Sequence, residues 1–372
     1  MWDEEKRKDL ETINNILFST KSNTNNVIFI YTPPKVGSTA LVSSIRISAA
    51  HLYSVLHIHD EIMLKAFTGY NNLTIKDIIS YNKFIGKNVY VIDIYRTPIE
   101  RKISEYFEKI ASHHFNNTDE NLCGYNLDKV IKRFNKLFPY LSTQDYYKSI
   151  YYIEVPEIFD FNKKYLHVVH LDIHYIKLRL CDSNEWSTIL SEILNTPIII
   201  VKDYETEGKK IGELYKNFKL NYKIPVNLFN KIKECPYLNY YLSEEERKKY
   251  CEFWGKKSCE EEVNTFSKNE FDFYKEICEE NKYYNDFQND HYMDVGCLCR
   301  PCSQKRKELF IKAKNGEKIS ERIIHEENIT NLQKNIIHNV QNKYKNLVNN
   351  KPVKKGKPIK NILKDVVGRK RG

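Results

Sequence analysis

Short apolar runs alternate with amphipathic stretches along the first part of the chain. The predicted strands are β-branched or aromatic runs at residues 27–31, 53–58 and 89–95. The predicted helices, which repeat apolar residues at 3.6-residue spacing, span 39–50, 61–67, 74–81 and 98–112. Strands that alternate with helices pair side by side in parallel. We therefore expect an α/β fold, with a P-loop-like parallel sheet and helices on both faces.

The pattern continues with less regularity to about residue 255. A helix is predicted over 3–18, and the aromatic and lysine-rich stretch from Tyr125 to Ile153 is also expected to be helical. Further strands are predicted at 165–170, 173–180 and 197–201. Further helices are predicted at 206–218, 226–234 and 243–254. Three histidines in strand-like runs are expected in or near the core: His167, His170 and His174.

These patterns divide the chain into four parts. They are an N-terminal helix and linker (1–26), an α/β domain (27–255), a helical extension with a cysteine cluster (256–350) and a basic tail (351–372). The 372 residues suffice for one large domain and an appendage. Because the N-terminus is polar and no apolar run reaches about 18 residues, we expect no membrane span, no secretory signal and a cytoplasmic protein.

Most of the net charge lies in the tail. The chain has a formal charge of +10, and residues 351–372 contain nine Lys and Arg and one acid, a net +8. The rest of the protein is therefore nearly neutral. A basic tail with proline and glycine is typical of a solvated, disordered end, so we expect no specific nucleic-acid binding. Electrostatic attraction of the tail to a polyanion is the alternative.

Residues 32–41 carry the strongest functional signal, Thr-Pro-Pro-Lys-Val-Gly-Ser-Thr-Ala-Leu, between the first predicted strand and helix. A tight loop that opens a helix presents main-chain N–H groups and the positive end of the helix dipole to an anion. Lys35 adds a mobile cation. The ATP-type P-loop requires two glycines and a lysine directly after the second. This loop has neither, which points away from nucleoside triphosphates.

The segment after the third predicted strand supplies a second phosphate site. Arg96 stands at the strand end, Pro98 in the first turn of the next helix, and Ser104 about two turns along it. An arginine and a hydroxyl can together clamp a phosphate. Ligands of an open α/β sheet bind beyond the carboxyl ends of the strands, where the strand order reverses. The two phosphate sites are therefore expected to share one crevice.

The two segments together resemble the sulfotransferases that use 3′-phosphoadenosine 5′-phosphosulfate (PAPS). In that family a loop like TPPKVGST holds the 5′-phosphosulfate, and a segment R-x-P-x-x-R-x-x-S-x-[YF] holds the 3′-phosphate. The resemblance implies that PAPS is contacted by Pro34, Lys35, Val36, Gly37, Ser38, Thr39, Ala40, Arg96 and Ser104. Looser similarity over 173–186 and 240–254 is nearest to the capsular-polysaccharide type. It implies a sulfotransferase fold over about 27–255 and a carbohydrate acceptor.

Sulfuryl transfer needs positive charge at the leaving oxygens and a base for the acceptor hydroxyl. Lys35 is the candidate for the leaving oxygens. Histidine titrates near neutrality, and His59 and His57, at the end of the second predicted strand, are the candidate bases. Alternation places both on one face of the strand, and a structural hydrogen bond is the other interpretation of each. Arg101 could assist the 3′-phosphate site, but we expect it to pair with Glu105 one turn along its helix.

The cysteines suggest one metal site. Cys297, Cys299 and Cys302 form a dense C-x-C-x-x-C cluster, and His291 or Cys278 could be the fourth ligand of a structural zinc. Free thiols are the alternative, because the C-x-C spacing is atypical for zinc and no second pair is present. Without a secretory signal, the nine cysteines are expected to be reduced.

Two other functions stay open on the sequence. A P-loop nucleotide phosphotransferase would share the loop-and-helix principle, but it would place the lysine after the glycine and an acidic magnesium ligand at a strand end. Asp93, inside its strand, is a poor substitute for that ligand. The other alternative is a catalytically degenerate transferase that binds polyanions through its basic tail.

Overall fold

The computed structural model describes residues 2–18, 24–108, 110–115, 119–142, 145, 147, 150–201 and 208–281. The main strands are β1 (Asn26–Tyr31), β2 (Tyr53–Ile58), β3 (Asn88–Tyr95), β4 (Tyr165–His170) and β5 (Ile173–Arg179). They form a five-stranded sheet in the order β2–β1–β3–β5–β4. Four strands are parallel, and β4 pairs with β5 in the antiparallel sense at the edge.

Helices connect the strands and continue after the sheet. The first eight are α1 (Glu4–Leu17), α2 (Ser38–Ala49), α3 (Glu61–Thr68), α4 (Ile75–Phe84), α5 (Pro98–Glu108), α6 (Asp119–Cys123), α7 (Leu127–Leu137) and α8 (Trp186–Ile193). The later ones are α9 (Gly212–Asn221), α10 (Val226–Lys233), α11 (Pro236–Tyr241), α12 (Glu244–Lys256) and α13 (Lys268–Asn281). A π-helical turn (Ile110–His114) follows α5, and 3₁₀ turns cover Phe138–Tyr140 and Leu180–Asp182. Two short parallel strands, β6 (Ile224–Pro225) and β7 (Ser258–Cys259), form a second sheet.

Both faces of the main sheet are buried. Along β1, Val27, Phe29 and Tyr31 pack on one face with residues of α1, α4 and α5, whereas Ile28 and Ile30 pack on the other with α2 and α8. A parallel sheet needs cover on both faces, and this alternation supplies it. The predicted α/β architecture, with a mostly parallel sheet flanked by helices, is confirmed.

The strand order reverses between β1 and β3. From β1 the chain crosses to β2 on one side of it and then returns to form β3 on the other side. The loops after β1 and β3 diverge at such a reversal and leave a crevice at the carboxyl edge of the sheet. These are the loops that contain Lys35 and Arg96.

The strand expected at 197–201 is absent, and that prediction was wrong. The main-chain N–H of Ile199 donates to Ser48 Oγ at 2.8 Å, and that of Val201 donates to Ser44 Oγ at 2.9 Å. Serine hydroxyls of α2 therefore satisfy donors that a strand would direct to a neighbouring strand. The apolar run instead buries Ile198 against the face formed by α2 and α8.

The expectation that His167 and His170 lie in or near the core was wrong, because β4 is an antiparallel edge strand. A two-residue turn with positive φ at Leu171 (50°) and Asp172 (55°) joins β4 directly to β5. Two-residue hairpin turns of this kind usually carry Asn-Gly or Asp-Gly, so Leu-Asp gave no turn signal in the sequence. The turn makes β4 an edge strand and leaves His167 and His170 exposed, not in the core. His174 is half-buried and stacks on Tyr90, with 4.7 Å between ring centroids.

Several helix bounds also differ from the prediction. α5 ends at Glu108 before the π-helical turn, α9 starts at Gly212, and residues 150–158 are not helical. Four residues that follow position 255 pack on the large hydrophobic core: Val263, Phe266, Phe271 and Tyr274. The main-chain N–H of Phe266 donates to the Lys136 carbonyl at 3.0 Å, and its carbonyl accepts from Tyr140 at 2.7 Å. None of the helices within the described ranges combines the length and apolar character needed to cross a membrane.

Candidate functional site

The loop after β1 is fixed to the neighbouring strand β3. Thr32 donates from its hydroxyl to Asp93 at 2.6 Å and accepts from the main-chain N–H of Ile94 at 3.0 Å. Lys35 then adopts φ 66° and Gly37 φ 90°, both in the left-handed region. A non-glycine residue with positive φ is costly and persists only where its surroundings impose it. The loop therefore has a defined shape that its anchoring to β3 helps to maintain.

The N-terminus of α2 is open toward this loop. Gly37 is its N-cap residue and supplies no side-chain cap, and the first turn contains no acidic residue. The N–H groups of Ser38, Thr39 and Ala40 precede the first helical bond, from Leu41 to the Gly37 carbonyl. Uncapped donors and the positive end of the helix dipole favour an anion at this position.

Arg96 and Ser104 lie beside the loop. Arg96 donates from Nη1 to the main-chain carbonyl of Lys35 at 2.8 Å. Ser104 is almost fully buried on α5. Both side chains line a cavity of about 1600 Å³. The same cavity is lined by Pro34, Lys35, Gly37, Ser38, Thr39, Ala40 and His59.

Two of the expected site residues do not line this cavity. Val36 is fully buried in the core on the α2 face of the sheet, so only its main chain can contribute to a ligand site. His57 lies behind the loop, with Nε2 3.0 Å from Ser38 Oγ. Burial, aided by the charges of His59 and Arg46, lowers its pKa to about 3. His57 is therefore neutral at physiological pH and holds Ser38 in place.

His59 has the geometry of a base. Its ring lies 4.6 Å from that of His57, edge to face, so both side chains project from one face of β2. Nδ1 lies 2.7 Å from the carbonyl oxygen of Thr32, and a carbonyl can only accept, so Nδ1 carries the proton. Nε2 therefore has the lone pair. Burial lowers the pKa of His59, and the Thr32 carbonyl and the nearby Asp60 and Glu108 carboxylates oppose that shift.

Glu108 is a site residue that the sequence analysis missed. Its carboxylate pairs with the Lys35 ammonium and lies 3.9 Å from Lys209 Nζ. Glu108 ends α5 and stands one turn after Ser104, so both face the cavity. That i,i+4 spacing was the available signal. Glu105, the partner expected for Arg101, accepts a hydrogen bond from the hydroxyl of Ser142.

The far wall of the cavity comes from segments that gave no motif. His114, in the π-helical turn, has Nδ1 2.7 Å from the hydroxyl of Tyr274 on α13. Tyr140 and Phe271 stack with ring centroids 4.0 Å apart. All four side chains line the cavity. Phe271 and Tyr274 lie beyond the expected domain boundary, so residues from both sides of that boundary line the cavity.

Asp93 belongs to a buried polar network. It is fully buried, accepts from Thr32, and pairs with Lys177 Nζ at 2.7 Å. Lys177 also contacts Asp145 at 2.6 Å, and Tyr241 donates to Asp145 at 2.7 Å. Burial raises the pKa of Asp93, and the Lys177 charge opposes that shift. The Asp93 carboxylate is therefore committed to holding β1, β3 and β5 together.

The proposed zinc ligands Cys297, Cys299, Cys302 and His291 lie outside the described residues, as does the basic tail. Within the described ranges, no group of three or more His, Cys, Asp or Glu side chains could hold a metal ion.

Comparison of the chain with protein-family models, with curated proteins and with solved structures found no match. The function is therefore inferred from the geometry of this cavity and from the two sequence motifs that line it.

Proposed function

We propose that this protein is a PAPS-dependent sulfotransferase that moves a sulfuryl group to a hydroxyl, with a carbohydrate as the acceptor. One observation carries the proposal. The loops after β1 and β3 flank the reversal of strand order, and Lys35, Arg96 and Ser104 line one cavity of about 1600 Å³. A nucleotide with phosphates on both its 5′ and 3′ positions matches two adjacent anion sites. Drug-sized ligands occupy roughly 300–1,000 Å³, so the cavity has room for a donor and an acceptor.

Each residue has a role in such a site. PAPS would supply a sulfuryl group activated by its link to the 5′-phosphate. The N–H groups of Ser38, Thr39 and Ala40 would bind that phosphate, and Arg96 and Ser104 would hold the 3′-phosphate. Lys35 would leave Glu108 and stabilise the negative charge that develops on the leaving oxygen.

His59 would accept the acceptor's proton. Its Nε2 would take the proton as the acceptor oxygen bonds to sulfur and the bond between sulfur and the 5′-phosphate oxygen breaks. The products are a sulfate ester, 3′-phosphoadenosine 5′-phosphate and a proton on the base. His57 would act through Ser38, which it contacts at 3.0 Å.

The alternative of a nucleotide phosphotransferase is less well supported by the site. Its acidic magnesium ligand would stand at a strand end, whereas Asp93 lies inside β3, where it is buried and bonded to Thr32 and Lys177. The loop also contains a single glycine, and its lysine precedes that glycine, whereas a phosphotransferase places the lysine after it.

A thermal-shift comparison tests the donor. At a concentration of 100 Kd, a ligand that binds the native state adds about 2.7 kcal/mol of stability. We expect 3′-phosphoadenosine 5′-phosphate to raise the melting temperature of the full chain more than AMP or ATP–Mg²⁺ does at equal concentration. Stabilisation by ATP–Mg²⁺ without any by the bisphosphate would overturn the proposal and favour a phosphotransferase.

A transfer assay tests the acceptor separately. We expect radiolabelled sulfate from PAPS to appear on polysaccharide acceptors and not on simple phenols. Transfer to phenols alone would retain the enzyme class and reject the carbohydrate assignment.

A further inference from the structure

A second, smaller cavity lies between the start of α5 and the corner formed by α10 and α11. Its volume is about 490 Å³. The charged side chains that line it are predominantly cationic: Arg96, Arg101, Lys102, Lys177 and Lys231, against Asp145 and Glu234. Arg96 alone among these also lines the larger cavity. The excess of positive charge is local, because the chain without its basic tail is nearly neutral.

The charges differ in how far their surroundings neutralise them. Lys177 is committed to two carboxylates, Asp93 and Asp145. Lys102 is almost fully buried and donates only to main-chain carbonyls, those of Phe138 and Leu141. Burial lowers the pKa of Lys102 to about 8, a shift that the Glu105 carboxylate opposes, so its ammonium remains charged at neutral pH. A neutral carbonyl orients that charge without cancelling it, and a bound anion would cancel it.

A buried hydroxyl in the same cavity lacks a partner. Tyr95, at the end of β3, is 7% exposed, and no residue in the described ranges forms a hydrogen bond with its hydroxyl. Its ring is held by stacking on Tyr241, with 4.5 Å between centroids. Buried polar groups in proteins are nearly always satisfied, so an orphaned hydroxyl on a residue that lines this cavity indicates a missing acceptor. An oxyanion is an acceptor that also compensates the charge.

The wall of this cavity is rigid. Four prolines contribute to the lining: Pro33, Pro98, Pro139 and Pro236. Proline fixes its own φ and offers no N–H, so these segments neither fill the cavity with donors nor rearrange easily. A preformed cavity loses little entropy when it binds a ligand.

We propose that this second cavity is an oxyanion site, in which the Tyr95 hydroxyl, Lys102 and Lys231 bind a carboxylate, sulfate or phosphate group. The site shares Arg96 with the lining of the proposed nucleotide site, but its binding of an inorganic anion does not require the proposed function. The oxyanion has two possible sources: a free inorganic anion, or an acidic group on a larger acceptor molecule.

Selenate locates the site directly. Crystals of the full chain soaked in selenate should show an anomalous selenium peak within hydrogen-bond distance of Tyr95 Oη. A peak near the loop after β1, with none beside Tyr95, would overturn the proposal. This result does not depend on whether the protein binds PAPS, so failure of the oxyanion site and failure of the proposed function remain distinguishable.

Solution binding tests the residues. Sulfate affinity is measured from the shift in melting temperature at constant ionic strength, in a Lys35→Ala background that weakens the loop site. Tyr95→Phe should weaken sulfate binding about two- to tenfold, the effect of one lost hydrogen bond. Lys231→Gln, an exposed change that leaves the core intact, should also weaken it. Lys233→Gln, two residues along α10 and outside the lining, should not. Equal affinities in all these variants would contradict the assignment.

The source of the oxyanion is resolved by a matched pair of sugars. If the group belongs to an acceptor, methyl glucuronide should bind more tightly than sulfate, and methyl glucoside should not bind at the cavity. If the source is a free anion, sulfate should bind at least as tightly as the glucuronide. Failure of both sulfate and glucuronide to bind would reject the site.

Discussion

The Arg96 guanidinium donates from Nη1 to the main-chain carbonyl of Lys35 at 2.8 Å, across the point where the strand order reverses. Lys35 has φ 66°, so this hydrogen bond helps to hold a residue in a conformation that it rarely adopts. Arg96 is thus attached to the loop proposed for one phosphate while it lines the site proposed for the other. A change at Arg96 should therefore affect both.

Replacement of Arg96 by lysine should test this double role. Lysine keeps the charge but cannot span the Lys35 carbonyl and a phosphate with one planar group. A hydrogen bond that involves a charged group is worth about 1.5–3 kcal/mol, so the affinity for 3′-phosphoadenosine 5′-phosphate should fall about tenfold or more. AMP, which has no 3′-phosphate, should lose less affinity. Isothermal titration calorimetry measures both.

Arg46 offers the matched control. It lies on α2 and also donates to a main-chain carbonyl, that of Val55 at 3.0 Å, but it does not line the cavity. Arg46→Lys should leave both affinities unchanged. If Arg96→Lys bound the bisphosphate as tightly as the original protein does, Arg96 would have no part in a phosphate site.

Gly37 should be the least replaceable residue of the loop. A Cβ at this position would lie 2.8 Å from Leu180 Cδ1 and 3.7 Å from Trp186, and φ is already 90°. Gly37→Ala should combine left-handed strain of about 1–2 kcal/mol with a smaller cost for moving the Leu180 side chain, whose terminal methyl group is the nearest atom. Urea unfolding, followed by tryptophan fluorescence, measures the loss.

A second glycine, Gly69, separates the backbone strain at positive φ from the steric clash with Leu180. Gly69 has φ 78°, but a Cβ there would meet nothing within 4 Å. Gly69→Ala should therefore lose only the strain contribution. Equal losses at the two positions would mean that the approach of Leu180 to Gly37 does not constrain the loop.

The elements that hold the phosphate loops could be predicted because their signals are local. β-Branched runs predicted β1, β2 and β3, and their alternation with helices predicted the parallel sheet. The edge hairpin could not be predicted, because Leu171 and Asp172 form its turn without the usual glycine. The segment at 197–201 was misassigned because its N–H groups bond to Ser44 and Ser48, which are distant in sequence.

The candidate site likewise contains some residues that the sequence motifs predicted and others that depend on tertiary packing. The motif residues reach one cavity because two short loops follow adjacent strands. The pairing of Glu108 with Lys35 depends on contacts between elements 73 residues apart, and no sequence pattern encodes it. The wall formed by Tyr140, Phe271 and Tyr274 depends on how α13 packs on the domain. Tertiary packing determines such contacts, and they became visible only in the structure.

Glu108 should compete with anionic ligands for Lys35. In the structure its carboxylate holds the Lys35 ammonium, and an entering phosphate would have to replace it. The Glu108 side chain is 32% exposed, and such pairs are worth up to about 1 kcal/mol. Glu108→Gln should therefore tighten binding of 3′-phosphoadenosine 5′-phosphate about two- to fivefold, as measured by calorimetry.

Glu105 lines the same cavity and provides the control. It accepts a hydrogen bond from Ser142, and its charge acts on Lys102 instead of Lys35. Glu105→Gln removes the same charge from the same helix without releasing Lys35. An equal gain in both variants would assign the effect to general charge, and a loss of affinity in Glu108→Gln would show that Glu108 assists binding.

His57 should make folding stability depend on pH. Its pKa is lowered to about 3 by burial, whereas an unfolded chain titrates histidine near 6.5. Between these values the unfolded state binds a proton that the folded state does not. Stability is therefore lost as pH falls below about 6.5, by about 1.4 kcal/mol per pH unit, or roughly 2 kcal/mol by pH 5.

His57→Gln removes the titrating group, so its free energy of unfolding should fall less between pH 7 and pH 5 than that of the original protein. His51→Gln provides the control, because His51 is exposed and its replacement should leave the pH dependence unchanged. Urea unfolding at the two pH values, followed by tryptophan fluorescence, gives the difference. A pH dependence in His57→Gln as steep as in the original protein would mean that His57 takes up its proton in the folded state. In that case His57 would not remain neutral beneath the phosphate loop, despite its hydrogen bond to Ser38.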